Sequence, residues 1–134
     1  MVFMELDNEQ QFAFAAIASM CLVSFAPYGQ SENELEEIYI QIHQAQRLDN
    51  VTEFSLQALD ELKGRLDLDY YDAQSSIISE ISRFDLDHDE RVEIINMALD
   101  VVKSNKVVSP EKIDVVSGLC RAFNLYTDQF NFVT

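Results

Sequence analysis

The stretch FAFAAIASMCLVSFA, Phe12–Ala26, decides the fold. It carries no charge, and none occurs anywhere from Gln11 to Gln30. Its apolar residues occupy nearly every side of a helix rather than one stripe, which marks a helix enclosed by others. The apolar run is about fifteen residues, broken by Ser19 and Ser24 and ended by Pro27, short of the ~20 that a membrane span needs. The reading is a central core helix over Asn8–Ser24.

Working outward from it, Pro27, Tyr28 and Gly29 form a turn. Ser31 reads as an N-cap with Glu34 completing a capping box. Leu35, Ile38, Tyr39 and Ile42 then repeat at helical spacing. Thr52 is expected to cap a third helix that turns Leu59 and Leu62 inward and ends near Gly64. A fourth is predicted from Tyr70 to Phe84 on the stripe Ala73, Ile77, Ile81 and Phe84. A fifth starts near Asp87, and the wide apolar arc from Val92 to Val102 makes it the second central helix. Ser109 caps a sixth with Pro110 at the first helical position, where its missing N–H is harmless. Ile113, Val116, Leu119 and Phe123 form its inner face. Thr127 is expected to open a short last helix carrying Phe130 and Val133. No stretch alternates as a strand would.

The fold class is therefore all-α: one domain over residues 1–134, a compact bundle of about seven helices around two central apolar ones. Three Gly and two Pro are too few for an all-β chain, and no two Gly lie close enough for a phosphate-cradling loop. The two halves also resemble each other. Setting Ser31 on Ser109 brings Ile17 onto Ile95, Val23 onto Val101, Leu35 onto Ile113 and Ile38 onto Val116, as a duplicated helix pair would.

The net charge is −15, from 24 acidic and 9 basic side chains. That excess repels nucleic acid and anionic membrane surfaces. It reads either as a solubility feature or as an attraction for basic partners. Part of it complements helix dipoles: Glu32, Glu34, Asp89, Glu90, Glu111 and Asp128 fall near helix starts, and Arg47, Lys63, Arg65, Arg83 and Lys103 near predicted ends. Asp60, Glu61, Asp67, Asp69, Asp85 and Asp100 fall outside clear first turns. Cys21 and Cys120, both in apolar stretches, read as buried free thiols in a reducing, cytoplasmic setting. The acidic, polar start of the chain does not read as an export signal.

Catalytic patterns are missing. His43 follows an apolar helix face. His88 sits in Asp85-Leu-Asp-His-Asp-Glu90, which begins like a calcium loop. It departs where Glu90 replaces the required Gly and Asn96 the bidentate Glu, so Asp87 reads as a helix cap with Glu90 reaching back. Tyr70 and Tyr71, among Asp67, Asp69 and Asp72, form an acidic aromatic patch. It reads as a capping segment with one Tyr buried, or as an anchor for a basic protein.

One segment carries a family resemblance. Met97-Ala-Leu-Asp-Val-Val-Lys-Ser-Asn-Lys-Val-Val-Ser-Pro-Glu111 resembles the second half-motif of TerB-like domains, the tellurite-resistance family. Ala18 to Glu37 is similar to its first, and the likeness spans roughly residues 10 to 126. It implies a compact, cytosolic, non-enzymatic helical domain associated with stress resistance, with loop acids able to hold a divalent metal. This chain departs at those acids. It has Asn105-Lys106 in the second half, and Tyr28-Gly29 or Pro27-Tyr28 in the first. Asn105, Glu111 and Glu34 are the residues left for a degenerate, weak cation site, and no other cofactor is expected. The expected function is an accessory domain acting through protein partners with a basic face, without nucleic acid or membrane insertion. The alternative is an acidic antagonist, an immunity protein or nucleic-acid mimic that blocks a basic toxin or nuclease.

Overall fold

The computed structural model describes residues 5–27, 32–105, 107–130 and 132. Among them the chain forms six α-helices, not seven, and no strand. They are α1 (Asn8–Ser24), α2 (Glu32–Gln44), α3 (Thr52–Leu68), α4 (Tyr70–Ile81), α5 (His88–Lys103) and α6 (Pro110–Ala122). A 3-10 segment, Gln46–Val51, leads into α3. The expected last helix is a 3-10 turn of three residues, Thr127–Gln129, without a side-chain cap; Phe130 behind it is buried. Val133 lies outside the described residues. None of these helices is long and apolar enough to cross a membrane.

α1 has the predicted bounds. Asp7 caps it, accepting from the Gln10 N–H at 2.8 Å while the Gln10 side chain reaches back to the Asp7 N–H. Every residue from Phe12 to Ser24 is buried. The cause is placement: α1 touches all five other helices and the 3-10 segment. An uncharged, all-round apolar sequence is the one that such a position requires.

α5 packs on α1, α2 and α6. Ile94, Ile95, Met97, Ala98, Leu99, Val101 and Val102 are buried, whereas Glu93, Asn96 and Asp100 face solvent. Its start is as read: Asp87 accepts from the Glu90 N–H at 2.8 Å and Glu90 reaches back to the Asp87 N–H at 3.1 Å. Ser109 caps α6, accepting from the Lys112 N–H. That helix ends in a Schellman turn. Asn124 takes a positive φ of 59°, its N–H bonds Arg121 O, and the Leu125 N–H bonds Cys120 O at 2.8 Å.

Three boundaries differ from the sequence reading. Thr52 does not cap α3; it is the first helical residue, and its hydroxyl turns back to Leu48 O and Asp49 O. The 3-10 segment, anchored by buried Leu48, already feeds chain into the helix there. Gly64 does not end α3, which continues to Leu68. Leu62 and Leu66 are buried on either side of it, and that packing outweighs the ~1 kcal/mol propensity penalty of a mid-helix Gly. α4 stops at Ile81 rather than Phe84, although Phe84 still packs edge-on against Phe14.

The two helix pairs correspond more closely than their sequences do. α2 and α6 have equivalent bounds under the Ser31-on-Ser109 alignment, thirteen residues each. Buried Glu34, Ile38 and Ile42 in α2 match buried Lys112, Val116 and Cys120 in α6. The contacts are reciprocal too: α2 packs on α5 as α6 packs on α1.

Candidate partner-binding site

The starts of α4 and α6 are both fastened to the last turn of α1. Asp69 caps α4, accepting from the Asp72 N–H at 3.2 Å. That use of Asp69 corrects its reading as a surplus surface acid. The cap turns Tyr70 inward, where its hydroxyl donates to Leu22 O at 2.6 Å. Tyr71, the next residue, remains 59% exposed and stands edge-on to the Tyr70 ring. One Tyr is thus structural and its neighbour is presented to solvent.

At the start of α6, Lys112 is buried, 1% exposed, and its ammonium donates to Glu34 Oε1 at 2.5 Å. It also reaches Ser24 O at 3.5 Å. A cation in the first turn of a helix opposes the dipole of that helix. Here the Glu34 carboxylate and the C-terminal end of α1 compensate it. The sequence reading missed this pair. Ser31, the expected capping partner of Glu34, lies outside the described residues.

From these two anchors a cleft of about 380 Å³ opens between α4 and α6. α4 contributes Tyr70, Tyr71, Gln74 and Ile78. α6 contributes Glu111, Asp114, Val115, Gly118 and Arg121, one face at helical spacing. Exposed Asp67, Asp69 and Asp72 flank the Tyr71 end in sequence. A second cleft, about 440 Å³, lies between α2, the 3-10 segment and α5, lined by Gln41, Ala45, Gln46, Arg47, Glu93 and Met97. Its polar groups are largely in use. Gln41 donates to Met97 O, and Arg47 pairs with Glu90 at 2.6 Å and stacks 4.1 Å from the Phe12 ring centre.

The residues expected to remain at a cation site are spread over different tasks. Glu34 is inside, against the Lys112 ammonium. Asn105 is half-buried after α5, its N–H bonding Val102 O. Glu111 is exposed in the cleft and accepts from the Ser109 hydroxyl at 2.8 Å. Its own backbone N–H and that hydroxyl hold its carboxyl below the usual range. Among the described residues, no three His, Cys, Asp or Glu side chains converge where a metal ion could sit. His43 and His88 are exposed. Both cysteines are buried free thiols; desolvation raises Cys21 and pushes Cys120 up to about 11.

No protein-family model, no curated protein and no solved structure matches the chain.

Proposed function

We propose that this chain is a non-catalytic, TerB-like accessory domain that works by binding a protein partner with a basic face. The observation that carries the reading is the α4–α6 cleft, which presents exposed Tyr71 beside the carboxylates Glu111 and Asp114. An aromatic side chain in an acidic setting is suited to cationic side chains, through charge and through cation–π contact. The same reading takes the α1–α2 and α5–α6 pairs as copies of one unit. It assigns no essential metal, because the Lys112 ammonium already neutralises Glu34.

An acidic antagonist of a basic toxin or nuclease is the second reading, supported by the net charge of −15. The genes that neighbour this one separate the two: stress-resistance genes favour the first, a toxin gene the second.

The shared claim, a basic partner, is tested by immobilising the domain, identifying what it retains, and measuring association rates across salt concentration. Steering by the summed acidic field should raise the rate several-fold at low salt. That gain should fade as the screening length shrinks toward ~8 Å at physiological salt. Acidic partners only, or a rate indifferent to salt, would defeat the reading.

A further inference from the structure

Each central helix meets one helix of the opposite pair, α1 with α6 and α5 with α2. The angle between α1 and α6 is filled by Tyr70. That side chain is buried, its hydroxyl bonds Leu22 O of α1, and it lines the α4–α6 cleft together with Val115 of α6. Tyr70 is brought there by the α3–α4 hairpin, which has no second copy in the chain and does not pack appreciably on α5.

The angle between α5 and α2 is built differently. Under the Ser31-on-Ser109 alignment Leu22 corresponds to Asp100 and Val115 to Glu37. Gln41 joins the two helices there. Its amide donates to Met97 O of α5, one turn before Asp100, and to the Glu37 carboxylate of its own helix, both at 3.2 Å. Glu37 is half-buried and Asp100 is exposed. Burial raises the Glu37 carboxyl, with the Gln41 bond opposing and Asp100 adding repulsion. Among the described residues neither carboxylate forms an ion pair. Lys103, one turn beyond Asp100, offsets part of the Asp100 charge. Two partly desolvated carboxylates that repel each other are stabilised by a cation placed beside both.

We infer that a protein partner places a Lys or Arg side chain in the α2–α5 angle, against Glu37 and Asp100, where Tyr70 sits in the other half. The lining sets the occupant: Leu22 and Val115 receive an aromatic ring, and the two acids receive a cation. The cleft of about 440 Å³ adjoins this position at Gln41 and Met97. Met97 and Ala45 in it offer apolar surface to the methylene stem of the basic side chain. Arg47 of the same cleft does not compete for the acids, since it is paired with Glu90. The inference rests on the reading of the domain as a binder of basic proteins, and it adds a contact apart from the α4–α6 cleft.

The test is an NMR titration of the isotope-labelled full chain at low salt. The probe is an Ala-based helical peptide with two Lys one turn apart; the control peptide carries norleucine in their place. Shifts should centre on Glu37, Gln41 and Asp100 with the Lys peptide and be absent with the control. Glu37→Gln combined with Asp100→Asn should weaken binding by about tenfold or more. Its melting temperature should be unchanged or raised, because a repulsion is removed. Glu111→Gln combined with Asp114→Asn removes the same charge from the other cleft and should leave the affinity unchanged. Equal weakening by the two double variants, shifts spread over the whole acidic surface, equal binding of the norleucine peptide, or no shifts would each overturn the inference. Shifts centred on Tyr71, Glu111 and Asp114 would overturn it while supporting the α4–α6 reading. If salt-dependent association with a basic protein is absent as well, the protein-binding reading falls with it.

Discussion

α1 and α5 hold corresponding places in the two helix pairs, yet one is enclosed and the other is open on one side. The difference lies on a single face. Ala15, Ala18 and Leu22 of α1 are fully buried. Under the same alignment their counterparts on α5 are Glu93, Asn96 and Asp100, all exposed. The α3–α4 hairpin, which follows the first pair in the chain, explains the contrast, since both of its helices pack on α1 and neither packs appreciably on α5. The hairpin covers one central helix, leaves its counterpart in water, and stops beside α6 with a groove between. Corresponding positions thus form a core element in one half and a surface element in the other, according to what lies over them.

Exchanging residues across this comparison should give the largest effects. Leu22→Asp places a carboxylate where there is no water and removes apolar packing. We expect a loss of about 5 kcal/mol or more, enough to unfold a domain of ordinary stability. The reciprocal Asp100→Leu should stay within about 0.5 kcal/mol, as exposed substitutions do. Urea denaturation of both variants checks this, and comparable losses would mean that α5 is covered as fully as α1.

Helix starts sharpen the comparison on a smaller scale. Ser109→Ala removes a working cap and should cost about 1 kcal/mol. Thr52→Ala should cost less than about 0.5 kcal/mol, because Thr52 only back-bonds to its own preceding turn. Thermal melts that ranked them the other way would restore Thr52 as a cap.

The smallest effect concerns Asp100 itself. Burial raises its carboxyl above the ordinary value, with Lys103 opposing; burial likewise raises Glu37, to which Asp100 adds repulsion. A carboxyl raised in the folded state penalises folding when ionised, and the penalty fades as pH falls through the folded value. Asp100→Asn should therefore stabilise the domain at pH 7, by less than about 1 kcal/mol given its partial exposure. The gain should shrink toward pH 4. A gain that grew with acidity would reverse the assignment.

Much of this architecture is legible in the residues. The body of α1 follows from its uncharged run, and the starts of α5 and α6 from Asp87 and Ser109, because local side-chain caps write helix starts directly into sequence. Features that depend on tertiary contact are less visible. Gly64 reads as a stop until Leu62 and Leu66 are seen packed beneath it. Thr52 reads as a cap because a 3-10 lead-in has no sequence signature of its own. Glu34 is fully accounted for by a capping box, which conceals its burial. The available signal was Lys112, a cation in a first turn where the dipole disfavours one, at the position that aligns with Glu34. The acidic aromatic start of α4 is visible in Tyr70 and Tyr71, but that α6 faces it across a groove is not.

The correspondence between the two pairs meets at Glu34 and Lys112, equivalent positions that touch each other, as residues beside a two-fold axis do. A double-mutant cycle in urea tests it most directly. Glu34→Lys alone and Lys112→Glu alone each bury like charges together and should cost at least the ~3–5 kcal/mol of a broken buried pair. If the two sites are equivalent, the double exchange rebuilds the pair in the opposite sense and should recover most of that loss. A double variant as unstable as the sum of the two single losses would show that the sites are not interchangeable and would contradict the account.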